Sequence, residues 1–332
     1  MLPALAVARA FRAEEPAGAV LLVGRAGGPE ERLVPEAGFD LETVRIQGFD
    51  RDAPLKNLAL PAVLPAALAA GRAIVERFRP DVVLGVGGYA MAPAIWAAGR
   101  ARIPYVLAVF EAGGLANRLA RRGAAAACVS FPEDVAAFAT PRTVHTGYPI
   151  RPGFHPASPS VPPRRLLVVG GSQGARRLNE ATWSALDRLL ERFAEVVHLT
   201  GEQGRAEAGR LARAGYRALP FSSEMPALMA EADLVVCRAG VGTLAEVAAV
   251  GLPAIVVPGT FGGGHQERNA ERMVAAGAAL RIGDRDLSGE SLLGALDSLD
   301  SERVRAMAVA SRSLGRPDAA ARIVAVLRQV AA

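Results

Sequence analysis

Nine short apolar runs, separated by longer segments of mixed polarity, constrain this chain more than any other feature. The first half holds AVLLVG (19–24), LETVRI (41–46), DVVLGVG (81–87), PYVLAVF (104–110) and AACVSF (126–131). RLLVVGG (165–171), EVVHLTG (195–201), LVVCRAG (234–240) and PAIVVPG (253–259) continue the rhythm in the second. Strands wetted on one face alternate apolar and polar residues. Most of these runs are nearly continuous, as the strands of a parallel sheet covered on both faces must be. Segments of helical length such as 66–78 and 115–122 lie between them. The pattern predicts an α/β chain of two doubly wound, Rossmann-like domains. IRPGFHPASPSVPPRR (150–165) carries five prolines and no periodicity, so it reads as a linker, and the cleft beside it is the expected active site. The expected organisation is a first domain over 1–149, a linker over 150–164, a second domain over 165–317, and a last helix over 318–332 returning toward the first domain.

The composition supports two cores and narrows the partners. With 332 residues, 51% hydrophobic and 21% charged, the chain has ample apolar surface to bury and no signature of disorder. Cys128 and Cys237 sit in apolar runs without CxxC spacing or histidine neighbours, and read as buried thiols rather than metal ligands or a disulfide. A net charge of +5 favours anionic partners, a nucleotide or a phospholipid surface. Nucleic acid is not expected as a partner, because the basic residues are scattered and aromatics make up only 5% of the chain. Arg9, Arg12, Glu14 and Glu15 interrupt any apolar leader at the N-terminus. The uncharged stretch Val82 to Gly99 carries three glycines and a proline in VVLGVGGYAMAPAIW, so it reads as strand, turn and helix start rather than a membrane span.

In an open parallel sheet, ligands bind beyond the carboxyl ends of the strands, where helix N-termini offer free N–H groups and partial positive charge. LLVVGGSQGARRLNEA places Gly170, Gly171, Ser172, Gln173 and Gly174 between a strand and a helix, a turn that suits a phosphate. VVCRAGVGTLAEVAAVG leads through Gly240 and Gly242 into a helix carrying Glu246, a carboxylate that can accept from two vicinal ribose hydroxyls or serve only as a capping charge. VVPGTFGGGHQERNAERM delivers His265 and Gln266 to a helix start after three glycines, which are costly to order without a purpose. Gly87, Gly88 and Tyr89 end a strand of the first domain in DVVLGVGGYAMAP. Asp284 and Asp286 in GDRDL have the spacing of a metal pair, but they precede SGESLLGAL and read as a loop before a helix capped by Ser288. No metal or cofactor is expected, and the absence of GxxxxGK[ST] argues against an ATP-hydrolysing phosphate loop.

DVVLGVGGY, GGSQGARRLN, CRAGVGTLAEVAAVGLPAIVVPG and HQERNAERMVAAGAA closely resemble the bacterial peptidoglycan N-acetylglucosaminyltransferases, the MurG family, across nearly the whole chain. The resemblance implies a GT-B fold, with the active site between two Rossmann-like domains. It implies inverting, metal-free transfer of N-acetylglucosamine from UDP-N-acetylglucosamine to undecaprenyl-diphosphate-linked muramyl pentapeptide, converting lipid I to lipid II. That places the protein in cell-wall synthesis, and thereby in cell shape and division, as a peripheral protein on the cytoplasmic face of the membrane that can meet other wall-synthesis proteins.

Carried over residue by residue, the resemblance gives the diphosphate to Gly171, Ser172, Gln173 and Gly174, with Gly240 at the neighbouring turn. Glu246 takes the ribose, His265 and Gln266 the donor sugar, Phe221 and Ser222 the uracil, and Arg151 lies near the donor. Gly87, Gly88, Tyr89 and Glu111 fall to the acceptor side. Two departures stand out. VFEAGGLANR keeps Glu111 of the family's HEQN segment but lacks its glutamine and asparagine, and PALAVA stands at residues 3–8, where the family has a strand and a GGTGGH loop before it. The histidine of that loop is the family's expected general base, so no catalytic base is assigned, and the expectation is a reading frame beginning upstream. Lys56, Leu58, Leu60 and Leu64 form an expected apolar patch with a basic rim for the membrane, against the simpler alternative of core helix. Two alternatives stay open at this point: another GT-B glycolipid hexosyltransferase, or, if the short N-terminus is genuine, an inactive relative.

Overall fold

The computed structural model describes the chain apart from residues 49–59, 111–114, 139, 141, 172–173 and 261–263, and apart from the side chains of Leu60 and Leu115. It divides into two compact units, Met1–Arg151 with Asp318–Ala332, and Pro152–Pro317.

In the first unit, β1 (Leu21–Arg25) pairs in parallel with β2 (Asp40–Val44). A separate parallel sheet runs β3 (Val83–Gly85), β4 (Tyr105–Val109), β5 (Ala126–Val129) and β6 (Thr143–His145). A cavity of about 370 Å³, mostly apolar, is lined by both β1 and β3, with Val7, Ile74 and Ile95 from the covering helices. The last helix, Ala319–Ala331, packs on Leu2–Glu14 and on β4. Ile323, Val324 and Leu327 share a core with Val7, Val106 and Cys128, and Arg328 pairs with Glu14 and Glu15 at 3.0 and 3.2 Å. An amphipathic helix buries one stripe, and this one buries it against strands that lie some two hundred positions earlier in the sequence.

The second unit is one six-stranded parallel sheet built from β7 (Arg165–Val169), β8 (Glu195–Leu199), β9 (Tyr216–Leu219), β10 (Leu234–Arg238), β11 (Ala254–Val257) and β12 (Ala279–Arg281). Its order is β12-β11-β10-β7-β8-β9. The central strands are buried almost end to end, which is why they read as unbroken apolar runs. Leu166, Val168, Val236 and Ile255 pack with Leu178, Leu189 and Leu292 from the covering helices. Burial in that low-dielectric interior pushes the Cys237 thiol up to about 12, and Cys128 in the first unit likewise to about 12. Both cysteines are free and buried.

The proline-rich segment from Pro152 is held in the second unit. The backbone N–H groups of Ser160, Arg164 and Arg165 donate to the carboxylate of Asp233 at 2.6, 2.9 and 2.9 Å. Ala157 N–H donates to Val250 O at 2.9 Å, and Phe154 is buried. Proline removes ladder donors from this stretch, and three of its remaining N–H groups are satisfied by one side chain.

Candidate functional site

The order of the second sheet locates its ligand site. From β7 the chain moves outward to β8 and β9, then returns to the other side of β7 for β10, β11 and β12. The reversal lies between β7 and β10, and a crevice opens beyond the carboxyl ends of strands at such a point. The turns after β7, β9, β10 and β11 all emerge on that edge. Phe221 follows β9 as one of the most exposed large apolar side chains, 66% accessible, and Ser222 Oγ accepts from Glu224 N–H at 3.0 Å.

The turn after β7 contains Gly171 and Gly174 at φ of +84° and +74°, the left-handed region that glycine enters at least cost. Ser172 and Gln173 lie outside the described residues. The helices that follow β7, β10 and β11 are Arg176–Ser184, Val241–Val250 and His265–Ala275. Each starts on a residue, Ala175, Gly240 or Gly264, that makes no side-chain cap, so no N-cap side chain among the described residues competes with an anion for the first-turn N–H groups. Elsewhere in the same unit, Ser288 and Asp300 do cap their helices, the former in a capping box with Ser291. Ser288 therefore has the capping role expected of it.

The ends of β10 and β11 are knitted together. Arg238 donates to Val257 O at 3.2 Å and pairs with Asp284 at 2.5 Å, with only 13% and 11% of the two side chains exposed. Asp284 is thus engaged by an arginine. Asn269 donates to Ala239 O at 3.2 Å, and Gln266 Oε1 accepts from Gly259 N–H at 2.8 Å, closing the loop between β11 and its helix. His265 Nδ1 accepts from Arg268 at 2.7 Å. Glu246 sits half-buried on the helix after β10. The arrangement presents uncapped helix starts to an anion, with a carboxylate and an exposed aromatic ring on the same edge.

In the first unit, Gly87 and Gly88 hold φ of +75° and +74° after β3 and lead into Tyr89, whose ring is 38% exposed and whose hydroxyl accepts from Arg25 at 3.4 Å. Arg151 is the last residue of that unit's first segment. Glu111, Lys56 and Leu58 lie outside the described residues, and Leu60 is described only as the first residue of Leu60–Phe78. Leu64 on that helix is 44% exposed. The neighbouring helix Ala92–Ala101 adds a residue the sequence did not single out, Trp96, 41% exposed with the Arg100 guanidinium 5.7 Å from its ring centroid. Among the described residues no helix is long and apolar enough to cross a membrane.

The glycosyltransferase family 28 N-terminal domain model matches residues 1–127, and the C-terminal domain model matches residues 165–323. The UDP-N-acetylglucosamine--N-acetylmuramyl-(pentapeptide) pyrophosphoryl-undecaprenol N-acetylglucosamine transferase of Syntrophotalea carbinolica is 40% identical over 99% of this chain and 95% of its own. The chain belongs to the MurG family. A Nocardioides enzyme of the same description is 37% identical over 99% of this chain and 94% of its own. The crystal structure of Acinetobacter baumannii MurG aligns with a TM-score of 0.79 at 28% identity, covering 98% of this chain and 95% of that one. The kitacinnamycin glycosyltransferase, at 20% identity and a TM-score of 0.71, shares the fold alone. The fold is GT-B, its parallel sheets those of a MurG-family glycosyltransferase.

Proposed function

We propose that this chain transfers N-acetylglucosamine from UDP-N-acetylglucosamine to undecaprenyl-diphosphate-linked N-acetylmuramyl pentapeptide, the step from lipid I to lipid II in peptidoglycan synthesis. The observation that carries the reading is the cluster of glycine turns and uncapped helix starts at the β7/β10 reversal, in a chain 40% identical to such a transferase along its length. The second unit takes the donor. The turn from Gly171 to Gly174 receives the diphosphate, with Gly240 beside it; Glu246 accepts from the ribose hydroxyls; His265 and Gln266 face the sugar; Phe221 and Ser222 border the uracil. Arg151 adds positive charge toward the departing UDP. Helix N-termini and an arginine stabilise that leaving group without an ion, and charge stabilisation of this kind is usually the largest catalytic contribution. The first unit takes the acceptor, with Gly87, Gly88 and Tyr89 on the side that meets it.

Glu246→Ala tests the assignment. In an assay with UDP-N-acetylglucosamine and a lipid I analogue, the variant is expected to lose about tenfold or more in kcat/KM, mostly through KM for the donor. Wild-type kinetics in that variant would remove Glu246 from the donor site, and an inactive wild-type protein would overturn the transfer itself.

The acceptor is a membrane lipid, so the first unit also meets the cytoplasmic face of the bilayer. Leu64 and Trp96 are exposed on two helices that pack together, Gly71 against Pro93, and Arg100 supplies positive charge beside the indole. An apolar surface with adjacent cations suits an anionic bilayer. Leu64→Asp combined with Trp96→Ser is expected to reduce co-sedimentation with phosphatidylglycerol vesicles at least about threefold, on the order of 1 kcal/mol. Undiminished binding would place the membrane contact elsewhere.

A further inference from the structure

Four polar side chains of the second unit form a chain inside its core that the transfer reaction leaves unexplained. Trp183 Nε1 lies 2.9 Å from Tyr216 Oη, Tyr216 Oη 3.0 Å from His198 Nδ1, His198 Nε2 3.0 Å from Asn179 Oδ1, and Asn179 Nδ2 2.8 Å from the carbonyl oxygen of Thr200. His198 and Thr200 are wholly buried, and Asn179 and Tyr216 nearly so. The two ends, together with a neutral imidazole, fix the direction of every bond. An indole nitrogen only donates and a carbonyl only accepts. Asn179 therefore gives its amide hydrogen to Thr200 O and turns its own oxygen to His198, whose Nε2 must carry a proton. His198 Nδ1 is then an acceptor, filled by the hydroxyl hydrogen of Tyr216, whose oxygen accepts from Trp183. Burial keeps the imidazole neutral, as this pattern requires. With the imidazole neutral, one amide hydrogen of Asn179, the imidazole hydrogen, the Tyr216 hydroxyl hydrogen and the indole hydrogen are each spent once, and no other arrangement of these protons satisfies both ends.

The relay terminates at the foot of the glycine turn. Thr200 immediately follows β8, the neighbour of β7. A Cβ on Gly174 would stand 2.5 Å from Thr200 O, and one on Gly204 would stand 2.8 Å from Asn179 Nδ2, so backbone and amide meet there with no spare volume. Asn179 belongs to the helix that the turn itself begins, its N–H donating to Ala175 O at 2.8 Å. Gly174, where the turn enters its helix, is thus clamped against the end of β8, with the Thr200 carbonyl as the shared contact. Apolar residues would fill the core at lower desolvation cost. Polar ones hold a single arrangement.

We propose that the Trp183–Tyr216–His198–Asn179 relay positions the glycine turn after β7 and thereby sets its affinity for the diphosphate of the nucleotide donor, an inference that rests on the donor site proposed above. These are positioning residues, acting on the ligand through Thr200 and Gly174.

The test compares UDP with uridine, which lacks the diphosphate. Binding of each is measured by calorimetry or NMR titration for the wild type and for Asn179→Leu, His198→Phe and Tyr216→Phe, alongside steady-state kinetics. Asn179→Leu is expected to weaken UDP about tenfold and to raise KM for UDP-N-acetylglucosamine in parallel. Uridine affinity, kcat at saturating donor and KM for the acceptor should stay within about twofold. His198→Phe and Tyr216→Phe should follow in decreasing order, and Tyr216→Phe, which removes a single hydroxyl, carries the comparison if Asn179→Leu fails to fold. Equal losses for UDP and uridine, or lost melting temperature with unchanged UDP affinity, would overturn the relay as a positioning device and leave it a core element. A wild-type protein that binds no UDP would overturn the donor site itself.

Discussion

Asp233→Ala is expected to lower the stability of the second unit by about 3–5 kcal/mol. Asp233 is 5% exposed, and its two oxygens accept from the backbone of Ser160, Arg164 and Arg165. Alanine would leave all three N–H groups without this acceptor, each costing about 1–3 kcal/mol if nothing replaces it. Relaxation of the segment toward solvent recovers part of that, which sets the upper end. In a unit of this size the loss corresponds to a fall in melting temperature of about 6–20 °C, measurable by calorimetry. Asp233→Asn turns one accepting oxygen into a donor facing N–H groups, so it should sit between wild type and Asp233→Ala. A loss below about 1 kcal/mol in Asp233→Ala would mean that the three donors find water instead.

That carboxylate also shows where the sequence stops being legible. The segment 150–165 carries every local mark of a linker, and what ties it down is a residue 73 positions beyond Ser160. Local composition contains no record of such a contact. A separation of 46 positions likewise hides the pairing of Asp284 with Arg238, although the loop and the Ser288 cap around it follow from short-range chemistry and were readable. The central strands were readable because burial on both faces makes them continuous apolar runs. The edge strands β6, β9 and β12 were not, since THR-VAL-HIS and its counterparts are three or four residues long and partly exposed, too short for any period. In the site, the glycines after β7, β10 and β11 were legible as turns, and Gly171, Gly174 and Gly264 do hold φ > 0. Trp96 was not, because only the packing of its helix decides which face stays outside. A signal for the relay did exist: a histidine in the middle of EVVHLTG interrupts an otherwise buried run, and a buried polar group needs a partner.

That histidine should make the protein acid-labile. Burial lowers the His198 pKa from 6.5 to about 3, so the folded chain excludes a proton that the unfolded chain accepts. Between those two values the unfolded state holds about one proton more, and stability therefore rises with pH across the window and is lost as pH falls through it. One pKa unit is worth about 1.4 kcal/mol, so by pH 4.5 this single group removes about 3 kcal/mol relative to neutral pH. Carboxylates also titrate in the lower part of that range, and the comparison that isolates His198 uses its own variant. Denaturant unfolding of the wild type from pH 7 to 5 should show a steepening slope below pH 6.5, approaching one extra proton released on folding. His198→Phe should lack that contribution, its stability starting lower at neutral pH for want of the relay and then falling less. If both proteins lose stability with the same slope, the imidazole takes up its proton in the folded state, and burial does not hold it neutral below pH 6.5.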